Sequence, residues 1–192
     1  MDYTQLRRFT AASLLLGLVL LLGFTPIGLI PLGFINVTIL CIPVIIGTLL
    51  MGLKTGLLLG IAFGTVSLIN LLGPRPSALA AALLGASPVL AVVMCYVPRL
   101  LLPVAAHYTY KAFAPRSEKL GYVAGSIAGS LTNTVLYLGL MFLFYLLMGL
   151  DAGKVALLIG GTGLIAGSAE AAVAAILVPP IVVAIRKLKY FA

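Results

Sequence analysis

VLAVVMCYVPRLLLPVAAHYTYKAF, residues 89–113, is a long apolar stretch with one arginine set in its interior and no acidic residue. A bilayer crossing takes about 20 such residues, and Pro98 and Pro103 are tolerated in a membrane helix whose neighbours re-satisfy the freed backbone groups. The rest of the chain has the same character. Of its 192 residues, 62 % are hydrophobic and 8 % charged, and the mean hydropathy is +1.25. A soluble domain carries about 25 % charged residues, so this chain cannot clothe a globule in polar groups. An all-α, polytopic membrane protein follows. The length holds about six crossings with short loops and leaves no room for a soluble catalytic domain.

Working outward from 89–113, the apolar runs predict a single membrane domain, 1–192, with helices at 9–24, 37–51, 55–72, 89–113, 118–148 and 155–186. Pro43 predicts a kink in the second. The fifth is long enough to require a tilt or a break, and the sixth carries a GGTG near its start and Pro179-Pro180 near its end. Between the first two lies TPIGLIPLGFIN, 25–36, too irregular for a helix and too apolar for a solvated loop. Such backbone sits at membrane depth only when it packs on protein or lines a cavity. Another segment, GPRPSALAAALLGASP at 73–88, reads as a loop holding a half-helix. Arg7-Arg8 before an apolar run resembles a signal peptide, but the run is long and no small-x-small cleavage site follows, so a retained first helix is expected.

Six crossings put Arg7, Arg8, Lys54, Lys111, Arg116, Lys119, Arg186, Lys187 and Lys189 on one side, with Arg75 and Lys154 on the other. By the positive-inside rule both termini are expected in the cytoplasm. The net charge of +8, from 12 basic and 4 acidic residues, thus reads as membrane topology and not as a nucleic-acid surface.

Little here suits an enzyme. GTLLMGLKT, 47–55, is a broken P-loop without the strand and soluble βα unit that motif needs; ATP, if used, would be hydrolysed by a partner. His107 is the lone histidine, Asp2 and Asp151 lie outside the spans, and Cys41 and Cys95 sit in apolar stretches with no further Cys or His close by. No catalytic dyad, metal site, disulfide or cofactor is expected.

Three polar positions remain inside the spans: Arg99, Glu170, and Asn133 flanked by Thr132 and Thr134. Charges within a bilayer are costly and face a cavity, a partner or a substrate path. One reading is an Arg99–Glu170 ion pair that fixes packing. The other is a pocket where a cation, an anion and an amide meet a small polar solute bearing a carboxylate and hydroxyl or amide groups. Asn70, Asn36, Phe34, Tyr96 and Tyr137 are the candidates to border it. In the first helix, Ser13 and Gly17 form a small-xxx-small pair that permits close helix approach.

These segments also resemble a known family. The stretches at 23–70, SPVLAVVMCYVPR at 87–99, GSLTNTVLYLG at 129–139 and AEAAVAAILVPPIV at 169–182 are similar, in order, to substrate-binding S components of energy-coupling factor (ECF) vitamin transporters. The resemblance implies a six-helix bundle in the bacterial plasma membrane that binds a vitamin from outside. It also implies partners, a membrane T subunit and two cytoplasmic ATPase subunits, against which the S component topples to deliver its cargo. Ser13 and Gly17 would take the place of the family's Ala-x-x-x-Ala motif that faces the T subunit, and 25–36 would be the lid over the vitamin. The TNT and EAAVAAI strings look most like the pantothenate branch, with Arg99 pairing the carboxylate and Asn133 and Glu170 bonding the hydroxyls and amide. Related S components handle vitamin B6 compounds and folates. From a different class, a self-sufficient ion-coupled secondary transporter would want an ion-coupling site and an internal repeat. A non-transport scaffold would bind no solute at all.

Overall fold

The computed structural model describes residues 3–25, 28–32, 35–73 and 78–187, at 29–32 and 35–38 by backbone path alone. The chain runs α1 (Tyr3–Phe24), β1 (Leu29–Leu32), β2 (Ile35–Thr38), α2 (Cys41–Met51), α3 (Leu53–Leu72), α4 (Ala78–Ala86), α5 (Pro88–Phe113), α6 (Glu118–Leu147), α7 (Ala152–Leu158), a π-helical turn (Ile159–Gly163) and α8 (Leu164–Lys187). Five of these helices, α1, α3, α5, α6 and α8, are long and apolar enough to cross a membrane. Their outward faces carry exposed Leu14, Leu58, Val89, Val135, Leu164 and Ile176, as a lipid-facing surface requires.

Local signals set the helix ends. Ser87 accepts the Leu90 N–H at 3.5 Å ahead of α5, and Ser117 accepts that of Leu120 at 3.4 Å ahead of α6, each acting as an N-cap. Gly52, at φ +92°, makes the one-residue joint between α2 and α3, a conformation that costs a residue without a Cβ least.

Two ladders of glycine clamp α5. On one side Gly56, Gly60 and Gly64 of α3 meet Pro103, the Arg99 carbonyl and Tyr96; a Cβ on Gly60 would stand 2.5 Å from Arg99 O. On the other side Gly121, Gly125 and Gly129 of α6 meet Tyr110, the Ala106 carbonyl and the Leu102 carbonyl, and a Cβ on Gly125 would stand 2.9 Å from Ala106 O. Without a hydrophobic drive between helices in lipid, such close approach is what holds a bundle together.

Three features depart from the sequence expectation. Residues 25–36 were read as irregular, and 37–38 as helical. Instead β1 and β2 form an antiparallel hairpin that pairs Leu29 with Thr38 and Leu32 with Ile35. The helical bundle therefore carries a small sheet, and Ile35, Val37 and Thr38 follow the β-preference of branched side chains. Pro43 falls in the first turn of α2, where its missing N–H is not needed, so it starts a helix and does not kink one. The predicted sixth span is split by the π-turn at the glycine pair Gly160-Gly161. The fifth is unbroken over 30 residues, about 45 Å at 1.5 Å per residue, and so must tilt to fit a ~30 Å hydrocarbon layer.

The shortness of α2 shapes the interior. Its 11 residues rise about 16 Å, half a bilayer. It starts at Cys41 inside the bundle, and the hairpin takes over its column, with β2 packed on α8.

Candidate solute-binding site

The polar residues gather at the level where α2 begins. On α6, Gly125 faces Leu49 and Gly129 faces Ile45. Asn133 is 4 % exposed, and its Oδ1 is buried with no hydrogen-bond partner among the described residues; Ser130, three residues before it, lies against Cys41. Glu170 of α8, 8 % exposed, accepts a hydrogen bond from Thr134 Oγ1 at 2.7 Å.

Arg99 enters from α5, and two prolines prepare its place. Pro98 has no N–H to give the carbonyl four residues back, that of Met94, and Pro103 likewise leaves the Arg99 carbonyl without its helical donor. The Arg99 carbonyl faces Gly60. The Met94 carbonyl accepts from Arg99 Nη1 at 3.0 Å, because a helical side chain leans back towards the helix start. The guanidinium lies between two aromatic rings, 5.1 Å from the centroid of Phe63 and 4.7 Å from that of Tyr137. The residue is 7 % exposed, and its Nε is buried without a partner.

The arrangement bears on the two readings of the charged residues. The ion pairs among the described residues, Lys154–Asp151 and Arg186–Glu118, lie elsewhere. Glu170 lies near enough for its charge to act on Arg99. Among the described residues a buried guanidinium N–H of Arg99 and a buried amide oxygen of Asn133 thus lack protein partners, which is uncommon for buried polar groups.

The remaining sequence candidates are placed as follows. Tyr137 belongs to the site as one of the two rings on Arg99. The Tyr96 hydroxyl shares a hydrogen bond with Thr65 Oγ1 at 3.0 Å and ties α5 to α3. Asn70 donates from Nδ2 to the Gly23 carbonyl at 3.0 Å and holds the end of α1. Asn36 lies in β2 opposite Pro31, and Phe34 lies outside the described residues. Ser13 and Gly17 sit exposed on α1, and a Cβ on Gly17 would meet nothing within 4 Å. Sequence reasoning missed Phe63 and Ser130. Ser130 shares a helical face with Asn133, and Phe63 lies beside Gly64 in a four-residue glycine spacing, which is the signal that a closely packed helix lies there.

The fold defines a multi-pass membrane protein with polar side chains buried among its helices. Comparison with known proteins gives it a family. The family described as "ECF transporter, substrate-specific component" matches residues 7–182, and the chain belongs to it. The chain is also 29 % identical over 120 residues to the pantothenic acid transporter PanT of Lactococcus lactis subsp. cremoris (strain MG1363), a match covering 56 % of this chain and 57 % of that protein. It thus spans little more than half the length of that relative. The membership places it among transporter components of the membrane.

Proposed function

We propose that this chain is the vitamin-binding subunit of an ATP-driven importer and that its solute is pantothenate. The observation that carries the reading is Arg99: a buried guanidinium fixed between two rings, whose Nε has no hydrogen-bond partner among the described residues. A carboxylate is the natural complement of such a fork. Asn133, Ser130 and Glu170 then meet the hydroxyls and amide that pantothenate carries. The similarity to a pantothenic acid transporter supports the same choice.

In this reading the chain makes six passes, with α2 and the hairpin together forming the second, and both termini are cytoplasmic. The hairpin lids the solute from outside. The chain lends the importer recognition only: a membrane T subunit docks along Ser13 and Gly17 of α1, two ATPase subunits supply the energy, and toppling carries the loaded site inward. The open space beside Gly17 supports that docking face.

Native mass spectrometry of the purified chain tests the proposal. A co-purified mass equal to pantothenate, lost in Arg99→Ala, is the expected result. The mass of a vitamin B6 compound or a folate would discard the solute and keep the importer. Failure to bind any vitamin, with gradient-dependent uptake by the chain alone, would overturn the reading in favour of a secondary transporter.

A further inference from the structure

Arg99 owes its orientation to a missing hydrogen bond one residue away. In an uninterrupted helix the Met94 carbonyl would accept the N–H of residue 98. Residue 98 is a proline, and the carbonyl accepts Arg99 Nη1 at 3.0 Å instead. The guanidinium is planar and sits between the rings of Phe63 and Tyr137, so fixing Nη1 fixes the whole fork. Nη1 is then committed to the helix, and the opposite edge of the guanidinium bears Nε and Nη2. Nε is buried and has no hydrogen-bond partner among the described residues.

We propose that Pro98 is a positioning residue that sets the acid selectivity of the site, by holding Arg99 so that its Nε–Nη2 edge receives a carboxylate in two parallel hydrogen bonds. The inference rests on the proposed function, in which Arg99 meets the solute's carboxylate. Pro98→Ala supplies an N–H to the Met94 carbonyl in competition with Nη1. The guanidinium keeps its charge and its rings but loses the contact that aims it. The bidentate geometry is then averaged over several orientations, while groups that recognise the other end of the solute are untouched.

The test uses the full chain in detergent or nanodiscs and compares two probes by titration calorimetry: pantothenate, and the analogue whose carboxylate is replaced by a primary alcohol. The unaltered protein is expected to prefer the acid by about tenfold to a hundredfold, the worth of a charge-assisted pair. Pro98→Ala should bring that preference close to one, chiefly by weakening the acid, with the alcohol's Kd changed less than about threefold. Pro98→Gly, which restores the N–H and also removes the Cβ that alanine keeps, should behave alike and separates the effect of the N–H from that of side-chain packing.

Equal weakening of both probes would make Pro98 a packing residue and overturn the proposal. An unchanged preference in Pro98→Ala, together with its loss in Arg99→Ala, would overturn the proposal and leave the site reading standing. A preference that survives Arg99→Ala, or that the unaltered protein never shows, would overturn the site reading and this inference with it.

Discussion

The molecule contains two arginines built to the same plan, and the difference between them is instructive. Arg186, near the end of α8, lies over the rings of Tyr110 and Tyr122 at 5.8 and 5.3 Å. It donates from Nη2 to a backbone carbonyl, that of Leu49, at 3.0 Å. Arg99 likewise lies over two rings and donates to a carbonyl at 3.0 Å. Arg186 also has a carboxylate, Glu118 Oε1, at 3.6 Å. Arg99 has none, although it is the more deeply buried of the two. Burial makes an unpaired charge costly, so the arginine that most needs a carboxylate is the one without an ion pair among the described residues. One end of the bundle is completed from within; in the proposed function the other is completed by a solute.

The largest expected effect breaks this comparison directly. Arg99→Ala should weaken pantothenate by about a hundredfold or more, since truncating one side of a buried, hydrogen-bonded charge pair costs about 2–5 kcal/mol. Arg186→Ala should leave the Kd within about threefold, a shift of under 1 kcal/mol. Titration of both variants decides it. Equal losses would mean that both arginines serve only the fold.

Next come the glycine ladders, which hold α5 from both sides. Gly60→Ala puts a methyl 2.5 Å from the Arg99 carbonyl, and Gly125→Ala puts one 2.9 Å from the Ala106 carbonyl. In both cases the obstacle is backbone, which cannot swing aside, and overpacking of this kind costs about 1–3 kcal/mol. Melting temperatures should fall in both variants. Only Gly60→Ala should also weaken binding in the fraction that remains folded, because it displaces the backbone from which Arg99 reaches the site. Matching Kd values in the two variants would remove the link between the α3–α5 contact and the site.

The same comparison shows how far the sequence could be read. The spans were legible because about 20 apolar residues have few other uses, and Arg99, Asn133 and Glu170 stood out because polar groups in lipid need a reason. Arg186 was legible only as a topology charge. Its clasp joins α8 to α2, α5 and α6, and those contacts lie 137 residues apart in the case of Leu49, beyond any local pattern. Phe63 was harder for another reason: the glycine spacing beside it marks a packed helix face, but an aromatic residue in an apolar helix carries no mark of what its ring faces. The hairpin was hidden by its composition, since apolar residues broken by Pro31 and Gly33 fit neither the helical period nor a polar turn. The short α2 followed from that failure, for its start could be placed only once 37–38 were known to be strand.

A smaller effect compares the two carboxylates. Glu118 is largely exposed, with a side chain 66 % accessible, and its pair with Arg186 is screened. Removing its charge as Glu118→Gln should move the melting temperature little, in keeping with a surface pair worth under about 1 kcal/mol. Glu170 is buried and takes a hydrogen bond from Thr134 Oγ1. Thr134→Val keeps the shape and deletes that donor. A hydrogen bond to a charged group contributes about 1.5–3 kcal/mol, but Glu170 can turn towards a solute hydroxyl and recover part of it, so a loss of about threefold to tenfold in affinity is expected. Titration with the acid and with its alcohol analogue should show the same fold-loss for both, since Thr134 acts at the end of the site away from the Arg99 fork. A loss confined to the acid would mean that Glu170 tunes Arg99 through its charge and does not meet the solute's hydroxyls, and the division of the site into an anion-binding end and a hydroxyl-binding end would fall.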